Sequence, residues 1–167
     1  MSSIKYENLK ESRLGIDGKW DLGAGIWFEN STIISQKNDF HVPRFQEMLN
    51  VGVDYTFNIG KGLGFTTEYL FFQVGNKFFT EGLKMHLVGS MLTYPLNITD
   101  NISAIFFTIP GEKLYFNYVS WNKTLDNWSF YLIAYVNPEV SSFLNLSMTE
   151  KNLFAGKGFQ FMCSYNF

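Results

Sequence analysis

Along much of this chain the side chains switch between apolar and polar at every second position. That period belongs to a β-strand, which points successive side chains to opposite faces; a helix repeats every 3.6 residues. Leu49, Val51, Val53, Tyr55 and Phe57 alternate with Asn50, Gly52, Asp54 and Thr56. Phe159, Phe161, Cys163, Tyr165 and Phe167 alternate with Gln160, Met162, Ser164 and Asn166. Leu22, Ala24, Ile26 and Phe28 oppose Gly23, Gly25, Trp27 and Glu29, and the run from Trp128 to Val136 divides in the same way. Leu63, Phe65, Tyr69 and Phe71 oppose Gly64, Thr66 and Glu68; Leu83, Met85, Leu87 and Met91 oppose Lys84, His86 and Ser90. Three weaker runs, Arg13 to Asp17, Ile102 to Ile109 and Lys113 to Asn122, are read as strands from their β-branched and aromatic content.

Links rich in Gly, Asn and Asp separate these runs, as tight hairpins require. Asp17 to Lys19, Asn58 to Gly62, Asn97 to Asn101 and Asn122 to Asn127 are short. Asn30 to Arg44, Gly75 to Gly82 and Asn137 to Gly156 are long, and only Pro110-Gly111-Glu112 breaks the alternation of short with long. The expectation is an all-β chain of about nine antiparallel strands in meander order over 12–167, preceded by a polar segment, 1–11, with no internal domain boundary.

Composition narrows the function. Lys and Arg total 13 against 15 acidic residues, with no basic stripe that would suit nucleic acid. Aromatics reach 19%, with 18 Phe, a surplus over what a soluble core absorbs. No apolar run approaches the ~20 residues of a membrane helix, whereas a membrane-crossing strand needs only about 9–11, every second one apolar. The lone Cys163 allows neither an internal disulfide nor a cysteine metal cluster. Met1 to Glu11 holds no apolar stretch of the signal-peptide kind.

Trp20, Phe57, Tyr94, Trp121, Trp128 and Phe167 stand beside the short links. Rings with one apolar and one wet end favour a membrane–water boundary. With the last strand, Gly158 to Phe167, ending on Phe and carrying aromatics at alternate positions, the chain resembles the bacterial outer-membrane β-barrels, porin-like ones included. The resemblance implies a lipid-embedded barrel in the bacterial outer membrane. It implies that Phe159, Phe161, Tyr165 and Phe167 form a signal read by the barrel-assembly machinery, and that Trp20, Phe57, Tyr94, Trp121 and Trp128 form an aromatic girdle at the periplasmic rim. Cys163 stands where that pattern more often has an aliphatic or aromatic residue. Such barrels have even strand numbers with both ends periplasmic. About nine strands therefore reads as the C-terminal piece of a larger barrel, unless Ser141 to Met148 adds another strand.

With the apolar sets against lipid, the opposite set lines a lumen: Arg13, Asp17, Glu29, Asn50, Asp54, Glu68, Lys84, His86, Tyr131, Tyr135 and Gln160. Charges there tune which ions pass, with an acidic lean toward cations. The same charges also suit braces between strands, such as Asp54 and Glu68 with Lys84 or Arg13. Catalysis is not expected. His86 and Ser90 lie four strand residues apart, about 13 Å, too far for a base to reach a nucleophile. His41 has only Asp39 nearby, and His41 with His86 lacks metal-ligand spacing. The reading is a pore or transport channel for small solutes, without cofactor or metal. A binding or structural barrel using its long outer loops, and a soluble lipocalin-like binder of apolar ligands, are the competing readings.

Overall fold

The computed structural model describes residues 10–35, 43–77, 81–112, 114–138 and 155–167. Nine strands form one antiparallel sheet in sequence order: β1 (Glu11–Asp21), β2 (Gly25–Ser35), β3 (Phe45–Phe57), β4 (Leu63–Lys77), β5 (Glu81–Pro95), β6 (Asp100–Ile109), β7 (Leu114–Leu125), β8 (Trp128–Val136) and β9 (Lys157–Tyr165). The described residues are all-β, with the antiparallel meander that the alternation predicts. β1 pairs with β2 alone and β9 with β8 alone, so the sheet has two outer edges without a strand partner among the described residues.

Several boundaries differ from the expectation. β1 runs through Asp17-Gly18-Lys19, and the chain turns at 22–24 instead; Leu22 and Ala24 therefore lie in the turn. Cross-strand aromatic contact explains this extension: Trp20 stacks on Phe28 of β2, centroids 5.7 Å apart, and a turn at Gly18 would forfeit that contact. Gly75 to Gly82 is mostly strand, because β4 continues to Lys77 and β5 begins at Glu81 across an irregularity between Val74 and Lys77. A glycine there marks a bulge, not the end of pairing. β7 continues through Asn122 to Leu125, leaving Asp126-Asn127 as the turn. The strict alternation of short with long links therefore fails at β4–β5 as well as at β6–β7. Residues 139–154, which include Ser141 to Met148, and the His41 region lie outside the described residues.

Asp126 is the described non-glycine residue with positive φ, at 34°. A Cβ in that region costs roughly 1–2 kcal/mol unless a short polar side chain compensates locally. Asp126→Ala should therefore lower stability by about 1 kcal/mol while Asp126→Gly leaves it within error. The midpoint of urea unfolding reads both.

Pairing joins the strand faces into two sheet faces. One carries Leu14, Trp20, Ile26, Phe28, Val51, Val53, Phe57, Tyr69, Phe106, Val119, Trp128 and Phe161. We call this the apolar face. The other, the polar face, carries Asp17, Glu29, Asn50, Asp54 and Glu68. Most exposed large apolar strand residues lie on the apolar face; Met48, Leu83, Met91, Phe107 and Met162 are the exceptions. Among the described residues Ile109 is the one buried hydrophobic side chain, at 7% exposure. The described residues form one sheet with almost no fully buried apolar side chain, so much of the apolar face stays exposed unless something covers it.

Candidate functional site

The polar face gathers charge on β1–β4. Asp17, Glu29 and Asn50 form one cross-strand row, and Lys19, Trp27, Gly52 and Glu68 form the next. Asp17, Lys19, Trp27, Glu29 and Asp54 line an open groove of about 350 Å³. Lys19 Nζ lies 5.7 Å from the centroid of the Trp27 ring. Among the described residues none of Asp17, Glu29, Asp54 and Glu68 is joined to a cationic side chain. Arg13 instead pairs with Glu11 on its own strand, at 2.9 Å. The expected brace from Arg13 to Asp54 or Glu68 is therefore absent from the described residues, because a partner two residues along one strand is closer.

Nine of the eleven polar residues predicted to act together do share this face: Arg13, Asp17, Glu29, Asn50, Asp54, Glu68, Tyr131, Tyr135 and Gln160. Lys84 and His86 do not. Register sets Lys84 opposite Gln73 and His86 opposite Phe71, on the apolar face. His86 Nδ1 is 2.6 Å from the Tyr69 hydroxyl. A brace from Lys84 to Asp54 or Glu68 is excluded by the same register. The physical reason is cross-strand pairing of large apolar residues. Leu83, Met85 and Leu87 meet Val74, Phe72 and Leu70, and flipping β5 would break all three pairs. His86 and Ser90 share the apolar face, four residues and about 13 Å apart along β5, too far for a hydrogen bond.

The row through Glu68 also holds residues that alternation did not single out. Gly52 and Gly89 flank Glu68 on either side. A Cβ at Gly52 would run into the Trp27 indole, and one at Gly89 would come within 3.1 Å of the Phe107 ring. Both rings therefore lie down over glycines that border the carboxylate. Only the register, which sequence spacing does not reveal, brings Trp27, Glu68 and Phe107 into one row. The described residues contain no cluster of His, Cys, Asp and Glu able to hold a metal ion.

On the apolar face, Trp20, Phe57, Tyr94, Trp121 and Trp128 all lie toward the end of the sheet that carries the 22–24, 58–62, 96–99 and 126–127 links. Trp128 contacts Tyr165 at 4.8 Å, and Tyr165 contacts Phe167 at 5.1 Å, so the last strand joins this aromatic border. The Tyr94 hydroxyl accepts from the Lys61 backbone N–H at 3.4 Å, tying two neighbouring turns. Phe159, Phe161 and Tyr165 share the apolar face with exposed Cys163, and Phe167 follows the end of β9. Comparison with known proteins finds no matching family model, no matching curated protein and no matching solved structure.

Proposed function

We propose that the chain forms the wall of an outer-membrane β-barrel, its apolar face against lipid and its polar face lining a water-filled passage for small solutes. One observation carries the reading: the large apolar side chains are exposed, and they are concentrated on one face of a single-layer sheet. Soluble monomers rarely expose apolar patches beyond a few hundred Å². A lipocalin-like binder would enclose its apolar face, whereas here that face carries most of the exposed large apolar strand side chains.

Two further features support the membrane reading. The aromatic border stands at one end of the apolar face, where interfacial rings belong. At the other end that face turns polar, with Asn30, Thr32, Glu47, Gln73, Lys84 and His86. β4 and β5, at 15 residues each, are longer than the roughly 9–11 that cross a bilayer. The surplus lies at this polar end, so Lys84 and His86 belong at headgroup level and not in the passage.

Lipid offers no hydrogen bonds, so the outer edges of β1 and β9 must be paired in a membrane. Nine alternating strands make β1 and β9 run the same way. An all-antiparallel barrel closing on this sheet therefore needs an odd number of further strands, whatever chain supplies them. A seam made directly between β1 and β9 would be parallel.

The test is single-channel recording in planar bilayers. Discrete conductance steps are expected, with a reversal potential under a KCl gradient favouring cations, because Asp17, Glu29, Asp54 and Glu68 on the polar face have no paired cation among the described residues. A monodisperse chain that stays folded without detergent and makes no steps would end this reading.

A further inference from the structure

Glu68 stands between two aromatic rings on the polar face. The cross-strand row reads Trp27, Gly52, Glu68, Gly89, Phe107. Adjacent strands lie about 4.8 Å apart, so the two glycines bracket the carboxylate at one strand spacing on each side. The Trp27 ring covers the first glycine and the Phe107 ring the second. Glu68 is exposed, and among the described residues it makes no hydrogen bond or ion pair. Phe107 keeps 38% of its surface open. Leu70 follows Glu68 on the same face and pairs with Leu87 of β5, so that side of the carboxylate is apolar, while Asn50 and Asp54 lie diagonally across from it on β3.

An inorganic cation would have to shed tightly held water to settle against these rings. A quaternary ammonium cation holds its water weakly and presents methyl or methylene groups, which suit both the ring faces and the leucines. Aromatic surfaces recognise such cations through the ring quadrupole, and the carboxylate adds the attraction of opposite charge. We propose that Glu68, Trp27 and Phe107 form a binding site for quaternary ammonium cations. The proposal deepens the pore reading, on which it rests only for placing this face in water. Lys19, which already lies 5.7 Å from the Trp27 ring centroid, is the competing cation. It belongs to β1, on the far side of Trp27 from Glu68.

The test titrates the full chain in detergent micelles with tetraethylammonium chloride by calorimetry, against sodium chloride at equal ionic strength. Binding should be saturable for tetraethylammonium alone. Glu68→Gln should weaken it about tenfold, by loss of the ion pair, and Trp27→Leu or Phe107→Leu about two- to fivefold each. Glu68→Asp keeps the charge and should bind better than Glu68→Gln, which separates the site from a folding defect. Asp17→Asn removes the same charge from the same face and should change affinity less than about twofold, because exposed charges separated by a Debye length are screened. Equal losses in Asp17→Asn and Glu68→Gln, or no tetraethylammonium heat above that of sodium, would overturn the site. Conductance is read separately. A barrel that conducts without binding tetraethylammonium sinks the site alone, while one that binds without conducting sinks the pore and leaves the site standing.

Discussion

Val51→Arg is expected to destabilise the protein in lipid vesicles by about 2–4 kcal/mol, the cost of an arginine on the lipid side of a barrel near the bilayer midplane. Val51 sits at the middle of β3, on the apolar face, between Phe28 of β2 and Tyr69 of β4. It is 41% exposed. If that exposure were to water, an arginine would reach solvent at once, and such surface changes stay within about 0.5 kcal/mol. Thr66→Arg is the companion measurement. Thr66 lies on the polar face, opposite Asp54, so an added cation there meets a carboxylate and should cost little. Urea unfolding in phosphatidylcholine vesicles, followed by tryptophan fluorescence, gives both values. A Val51→Arg midpoint equal to that of Thr66→Arg would mean that hydrocarbon does not cover the apolar face.

Gly52→Val should cost about 1–3 kcal/mol, the usual penalty for forcing atoms into an occupied site. Here the occupant is the Trp27 indole, which lies where the new Cβ would be. The indole must rise off the sheet and give up both its contact with the β3 backbone and its position beside Lys19. The clash has one identifiable source, so removing the ring should remove most of the penalty. In the Trp27→Ala background, Gly52→Val should cost less than about 0.5 kcal/mol, a coupling of the size that residues in contact show. Valine also favours the extended backbone. If Gly52→Val is equally costly in both backgrounds, the glycine serves the strand and not the ring. The lifted indole should also weaken tetraethylammonium binding, which gives this variant a second readout independent of stability.

Within each strand, the division into two faces is legible in the order of residues alone. Alternation is local: Val51 and Val53 fall on one side and Asn50 and Asp54 on the other whatever the neighbouring strands do. The aromatics beside the turns are legible for the same reason, since a ring next to a tight link must stand at the rim of the sheet. Strand ends are less visible. Gly18, Gly75 and Gly82 look like link residues, yet pairing continues past Gly18 and Gly75 and resumes at Glu81. Stacking of Trp20 on Phe28, and the apolar partners of Phe72 and Val74, outweigh the local preference of glycine for turns.

Residue order points to an antiparallel meander of strands, each with an apolar and a polar side, because a period of two divides each strand and most links are too short for anything but hairpins; across the long links at 36–44 and 137–156 strand pairing decides. How one strand's faces join those of the next is settled in three dimensions. Alternation is unchanged when a whole strand is turned over, so register alone distinguishes the two choices. In β5 the irregularity between Val74 and Lys77 and the apolar pairs with β4 make that choice, turning Lys84 and His86 to the apolar face. The row of Trp27, Glu68 and Phe107 arises in the same way, from successive strand registers that bring together residues far apart in the chain.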